Sequence, residues 1–441
     1  MPARQMHLNA FLAGVGHHEA AWRHPSTDPR LVDDVRYFQE LARTAERGTF
    51  DSVFLADAVQ VWGDVEHSVA DTFEALTLLA ALAAATERVG LIATASTGFS
   101  EPYNVARMFG SLDRISGGRA GWNIVTTAGD RSAQNFNLEA NLAHRERYER
   151  AAEFVDVARR LWDSWDEDAV VADRATGVYT DARRVREIDH RGRFFRVRGP
   201  LNVTRGPQGH PVLVQAGSSD DGRTFAAAYA DAVFTAQQVE SEARAFAADL
   251  RRRAAAAGRD PDAIRVLPGL MTVVGGTEAE ALRLARELDE LIIPARGLRQ
   301  LATLIGVDLS DHPLDAPFPE LPPASEINSH RSRFELVRDL AARERLTLRE
   351  VIVRLGGGRG HQVVVGAPEQ VAARMLGWFR SGAADGFNVM PALLPGGLTD
   401  FVDHVVPELR RLGVFRTEYA GATLRAHYGL PRPAAAAAPA Q

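Results

Sequence analysis

The sequence predicts an α/β fold, a (β/α)8 TIM barrel, on three observations. Eight short apolar runs alternate with helical patterns along 441 residues. The runs are apolar almost throughout, as strands of a parallel sheet are when both faces are buried. The segments between them carry apolar residues three and four apart, which suits helices covering such a sheet. Eight repeats over this length fit a closed barrel; a doubly wound open sheet is the alternative.

In order, "HLNAFLAG" (7–14) precedes the amphipathic "LVDDVRYFQELARTAERGTF", and "SVFLAD" (52–57) precedes "TFEALTLLAALAAATER". "VGLIATAS" (89–96) leads to "NVARMFGSLDRIS", and "AGWNIVTT" (120–127) leads through a polar loop to "RYERAAEFVDVARRLWDSW". Then come "VLVQAG" (212–217), "DAVFTA" (231–236), "IRVLPGLMTVVG" (264–275) and "DGFNVMP" (385–391), each beside a helical pattern. Two stretches exceed a minimal barrel. Residues 165–210 lack a long helical period and read as a β-excursion. Residues 294–362 have proline-rich stretches and their own helices, and read as a lid. Within the latter, "LGGGRGH" (355–361) reads as a flexible hinge. The expected organisation is one barrel domain over 1–430, followed by a low-complexity, disordered tail at 431–441.

Composition narrows the chemistry. Hydrophobic residues make up 46% and charged residues 24%, ordinary for a globular enzyme. The formal net charge of −6 and the lack of a long basic block argue against nucleic-acid binding. "RRRAAAAGR" (251–259) reads as a solvated helix face. The absence of cysteine excludes disulfides, thiolate nucleophiles and zinc–thiolate sites. The N-terminal apolar run is short and interrupted, so no signal peptide or membrane span is expected, and the location expected is the cytoplasm. Among 13 histidines there is no HExxH, and the adjacent His17 and His18 lack a closely spaced third ligand, so no metal is expected. No GxSxG, P-loop or strand-linked GxGxxG occurs, which removes a nucleophile elbow and a separate nicotinamide domain.

Barrels place ligands at the C-terminal ends of their strands. Those ends carry Asp57; Thr94, Ser96 and Thr97; Asn123, Thr126 and Thr127; and "QAGSSDDGR" (215–223). In the last of these, Gly217 permits close approach, and Ser218 and Ser219 stand before a helix N-terminus whose free N–H groups suit a phosphate. Simple helix capping uses the same residue types. His144 and Tyr148 are four apart and share a helix face. His17, His18, Trp62 and Asn123 are candidate substrate-pocket residues. Arg191 and Arg359 read as surface residues.

Taken together, "FLAD" (54–57), "ATASTGFSEPYNVARMFGSLDRISGGRAGWNIVTT" (93–127), "NLAHRERYERAAEF" (141–154), "VLVQAGSSDDGR" (212–223), "VGAPEQVAARM" (365–375) and "GAADGFNVMP" (382–391) resemble one family. It is the bacterial-luciferase-like flavin monooxygenases, in the branch of nitrilotriacetate monooxygenase component A, which acts on aminopolycarboxylates, dibenzothiophene sulfone and dimethyl sulfide. The resemblance implies a barrel that binds reduced FMN, supplied by a separate NAD(P)H:flavin reductase. It also implies transfer of one oxygen atom from a flavin peroxide to a small organic substrate such as an amine, sulfide or sulfone. Residue by residue, Asp57 and Thr94 match positions near the flavin ring. His144 and Tyr148 match a His-xxx-Tyr pair, and Ser219 with Ser218 matches the phosphate position. His144 is the first choice for a proton donor or acceptor. Gly98, where related sequences often carry a larger residue, implies a wider pocket. A homodimer or homotetramer is expected. A deazaflavin-dependent oxidoreductase and a non-catalytic flavin-binding barrel are the alternatives.

Overall fold

The computed structural model describes residues 4–61, 65–70, 72–323 and 331–434, with the side chains of 331–333 excepted. Eight parallel strands close on one another: β1 His7–Leu12, β2 Ser52–Leu55, β3 Gly90–Ser96, β4 Ala120–Val125, β5 Val212–Gln215, β6 Ala232–Thr235, β7 Arg265–Val274 and β8 Gly386–Pro391. Closure comes from pairing of β8 with β1, with Asn388 opposite Asn9, and rules out an open sheet. Each strand lies within the run expected of it. A further strand, Gln362–Gly366, pairs with the long upper half of β7 beyond the point where β6 has ended.

The bottom of the barrel is closed by the C-terminal segment. Leu424 presses against β3 and β4 where both are glycine; a Cβ on Gly90 would lie 2.4 Å from the Leu424 side chain. The fully buried Tyr428 donates to Asn9 inside the barrel at 2.7 Å. Around this end an aspartate stands immediately before each of β2, β6 and β8. Asp51, Asp231 and Asp385 accept the backbone N–H of Leu8, Leu213 and Val266 on the neighbouring strand at 2.7–2.9 Å. Each also pairs with arginine: Arg416 on Asp51, Arg425 on Asp231, and Arg4 and Arg251 on Asp385. Bonds to backbone and guanidinium offset the cost of burying these carboxylates. The arginine block 251–259 is a solvated face only in part: Arg252 and residues 255–258 are exposed, and the other arginines are tied down. Arg251 holds Asp385, and Arg259 donates to the carbonyls of Ala227 and Ala230 at 3.0 and 2.8 Å.

The 165–210 stretch contains two small antiparallel hairpins, Val170–Asp173 with Val178–Thr180 and His190–Arg191 with Arg196–Val197. The 294–362 stretch folds into helices Pro294–Ile305, Arg331–Glu344 and Leu348–Gly358 around a core of its own that includes Leu301, Phe334 and Ile352. "LGGGRGH" is not a hinge. Gly356, Gly357 and Gly358 lie buried in the last of these helices, whose C-terminus is capped by Arg359 in the left-handed region, with Gly360 in the turn that follows. They are small because the loop after β1 passes over them: Glu19 N–H donates to Gly356 O at 3.0 Å, and a Cβ on Gly356 would lie 2.9 Å from the Glu19 carboxyl carbon. Of the tail, Pro433 O accepts from Arg205 at 2.8 Å, and residues 435–441 lie outside the described residues.

Candidate functional site

A cavity of about 400 Å³ opens at the C-terminal ends of β2 to β5. Its wall brings together all six residues proposed from the sequence to hold the cofactor: Asp57, Thr94, His144, Tyr148, Ser218 and Ser219. At one end, Thr94 Oγ1 donates to Leu55 O at 2.9 Å and accepts from Asn123 Nδ2 at 2.8 Å. Asn123 itself is buried behind Thr94, and its Oδ1 has no hydrogen-bond partner. Asp57 accepts the N–H of Ala75 at 3.2 Å. Between the ends, Thr127 holds a φ of 44°, a conformation that costs a β-branched residue energy. Its hydroxyl donates to Ser96 at 2.7 Å, so both hydroxyls sit in the wall.

The other end is a cradle built on the loop after β5 and the helix Asp220–Tyr229. Ser219 caps that helix, its Oγ accepting from Gly222 N–H at 3.1 Å, and Ser218 Oγ lies 3.0 Å from Thr235 Oγ1. The first-turn N–H groups that helix bonding leaves over face the loop. Tyr148, on the helix His144–Trp162, hydrogen-bonds Ser219 and Thr126, and burial raises its pKa, so it stays a neutral phenol. Gly217 and Gly222 are required here: a Cβ on either would lie 3.0 Å from the Tyr148 hydroxyl, and one on Gly217 only 2.3 Å from Gln215 Nε2. Two acids open the helix, yet neither leaves its charge bare. Asp220 pairs with Arg253 at 2.6 Å, and Asp221 Oδ2 lies 3.0 Å from His144 Nδ1. His144 is thus a half-exposed ring at the cradle end.

The remaining candidates lie elsewhere. His17 is buried, with Nε2 donating to Phe11 O at 2.8 Å. Burial, then the charge of Arg359, lowers its pKa to about 3, so it is neutral. His18 lies 3.3 Å from Asp289, beneath the three-helix excursion. Neither histidine lines the cavity, and Trp62 lies outside the described residues. Arg191 is exposed, as is Arg359. Gly98 borders a second, adjoining cavity of about 550 Å³, where a Cβ would make ordinary contacts. Sequence reasoning missed Gln215, whose side-chain oxygen is a buried, unpartnered acceptor in the wall, and Arg147, which lines both cavities. A lone glutamine closing an apolar strand was the available signal for the first; the second sits unmarked beside Tyr148. Among the described residues no cluster of acids and histidines could hold a metal ion, and no helix is long and apolar enough to cross a membrane.

Comparison with known proteins decides the family. The model of the luciferase-like monooxygenases matches residues 11–385. The chain belongs to the luciferase-like monooxygenase family. Within it, the chain is 48% identical to N-acetyl-S-(2-succino)cysteine monooxygenase of Bacillus subtilis (strain 168), over 98% of both proteins. It is 44% identical to nitrilotriacetate monooxygenase component A of Aminobacter aminovorans, over 98% of this chain and 97% of that one. Among solved structures, a riboflavin lyase crystallised with modified FMN and riboflavin superposes with a TM-score of 0.84 at 32% identity, over 96% of this chain and 95% of the other. This luciferase-like chain is accordingly an oxygen-using oxidoreductase, a monooxygenase.

Proposed function

We propose that the enzyme is the oxygenase component of a two-component system, binding reduced FMN in the 400 Å³ cavity and oxygenating a small organic molecule. The observation that carries this is the fit of the cavity to an elongated, anion-ended cofactor. The glycine and serine cradle, with its paired acids, suits a terminal phosphate. The buried, unpartnered oxygen of Gln215 in the wall suits a donor of a heterocycle or its polyol chain. Bound reduced FMN would supply the electrons that activate oxygen.

The protein's own residues do the rest. Ser218, Ser219, Tyr148 and the first-turn amides hold the phosphate end, and Thr94 and Asp57 orient the ring end. His144, hydrogen-bonded to Asp221 at the mouth, carries the one imidazole in the wall and is the group proposed to take up or release a proton. The 294–362 excursion serves as a lid that limits water within one barrel domain over 1–430. Reduced FMN comes from a separate NAD(P)H:flavin reductase, as the component A relative suggests.

Anaerobic titration with reduced FMN, followed by oxygen with and without substrate, tests this reading. Tight binding is expected, with less hydrogen peroxide released when substrate is present. Peroxide release that ignores every substrate would leave a flavin carrier. Gly217→Val, which drives a side chain against Tyr148 and Gln215, is expected to weaken reduced-FMN binding about ten- to a hundred-fold. His144→Phe is expected to bind flavin and lose coupled oxygenation. If it keeps both, the proton role of His144 is wrong.

A further inference from the structure

The flavin cavity takes up the ends of β2 to β5, and the rest of the ligand rim runs from β6 round to β1. One side chain enters that remaining part from outside the barrel. We propose that His361, carried on the 294–362 excursion, is a positioning residue: its imidazole walls the reacting end of the site and keeps water from it. The proposal rests on the flavin-oxygenase reading, because the wall protects the flavin's reaction with oxygen.

The barrel leaves a place for this ring. Leu267 and Met271 of β7 pack with Phe54, Phe234 and Met390 in one core cluster. Gly269, between them on the same face of the strand, has no side chain. The imidazole stands where that side chain would be: a Cβ on Gly269 would lie 2.3 Å from His361 Nδ1 and 2.9 Å from its Cγ and Cε1. The excursion delivers the ring by a tight turn. Its last helix is followed by two left-handed residues, Arg359 at a φ of 49° and Gly360 at 81°, and His361 N–H donates back to Gly358 O at 2.8 Å. The left-handed region is costly for arginine, which marks a turn imposed by its surroundings. Just beyond, Gln362 pairs with Leu270 and sets the height of the ring along β7. The same helix is fastened from the other side, where Glu19 N–H meets Gly356 O.

That height is the floor of the site. His361 is buried and lies flat on Phe234, with centroids 5.0 Å apart and an angle of 6° between the rings. Phe234, Phe11 and Phe54 form a closed triangle, with ring centroids 4.9–5.6 Å apart. Two of its corners stand one residue below the two ends of the flavin cavity. Phe54 comes just before Leu55, whose carbonyl accepts from Thr94 at the ring end. Phe234 comes just before Thr235, whose hydroxyl lies 3.0 Å from that of Ser218 at the cradle. An imidazole resting on this floor closes the β6–β8 side of the mouth with an aromatic face. Reduced FMN that reacts with oxygen unprotected gives up two electrons and two protons, leaving FMN and hydrogen peroxide. A wall that excludes water slows that loss and keeps the oxidising equivalent for a substrate.

Peroxide release from protein loaded with reduced FMN and mixed with oxygen, without substrate, tests the assignment. His361→Ala is expected to speed release about ten-fold or more while reduced-FMN affinity stays within about two-fold of wild type. Gly269→Ala, whose methyl drives the imidazole from its place, should speed release to a similar degree. The double variant should be no faster than His361→Ala alone, since the methyl then has no ring to displace. His361→Phe, which keeps a flat ring, should restore slow release. If His361→Ala does not fold, Gly269→Ala and His361→Phe carry the test. Three results overturn the proposal: wild-type release rates in His361→Ala or Gly269→Ala, effects of the two alanines that add, or fast release by His361→Phe. Wild type that binds no reduced FMN would sink the flavin reading and the wall with it. Binding of reduced FMN without an effect at His361 sinks the wall alone.

Discussion

The two rims of the barrel are built on opposite terms. At the bottom, buried carboxylates are paired: Asp51, Asp231 and Asp385 each hold a neighbouring strand's N–H and an arginine. At the top, uncharged hydroxyls and amides dominate, and several polar atoms have no partner, among them Asn123 Oδ1, Gln215 Oε1 and Arg147 Nε. Unpartnered atoms occur below as well, at Arg416 Nε and Ser52 Oγ, so the contrast lies in the carboxylate–arginine pairs, which the upper rim replaces with hydroxyls and amides. The charged rim holds the barrel together, and the uncharged rim lines the cavity.

Breaking the lower rim gives the largest expected effect. Asp51→Ala strands the buried Arg416 and should cost about 3–5 kcal/mol in urea unfolding. The same group sets an acid limit. Burial alone would raise the Asp51 pKa, but the charges of Arg416 and His7 and the His7 hydrogen bond overrule it and hold it at about 2, below the ordinary 3.8. Its contribution is therefore complete above the ordinary carboxylate range and is lost as pH falls toward 2. In Asp51→Asn the stability-against-pH curve should be flatter in that window, and an unchanged curve would contradict the assignment.

Substitution at the upper rim should behave the other way. Gln215→Met removes a buried amide whose oxygen bonds nothing, so stability should shift by less than about 1 kcal/mol. Reduced-FMN affinity should fall roughly five-fold. A large loss of stability with unchanged affinity would erase the contrast between the rims.

Glu19 is the intermediate case, a buried acid on the top side that fastens the excursion. Burial raises its pKa against the pull of Arg296, His18 and Arg359. A raised carboxylate pKa means that stability falls as pH rises through the folded value. Glu19→Gln should remove that slope and raise the thermal midpoint slightly at neutral pH, the smallest of these effects. Limited proteolysis of the 294–362 excursion at pH 5 and pH 8 would report the same sign.

Much of this was legible in the sequence, for a local reason. Continuous apolar runs mark strands buried on both faces, and helical periods of three and four mark their cover, so all eight strands could be counted. Polar residues just past those runs marked the upper rim, and the six residues proposed to hold a cofactor line one cavity. Other features depend on partners far along the chain. "LGGGRGH" looks like a hinge until Glu19 is found pressed against Gly356, and "RRRAAAAGR" looks solvated throughout until Arg251 is found on Asp385, which leaves only Arg252 and 255–258 exposed. His17 and His18 sit next to a strand end, yet packing turns them away from the cavity.

By itself, the sequence determined the barrel, its strand order and the polar identity of its upper rim, because alternation, burial pattern and strand ends are properties of short windows. The tertiary structure alone decided which polar atoms find partners. Arg147 and Arg251 are the same residue to a reader of the sequence. Only the folded chain brings Asp385 to one of them and leaves the other facing an open cavity with its charge unmet.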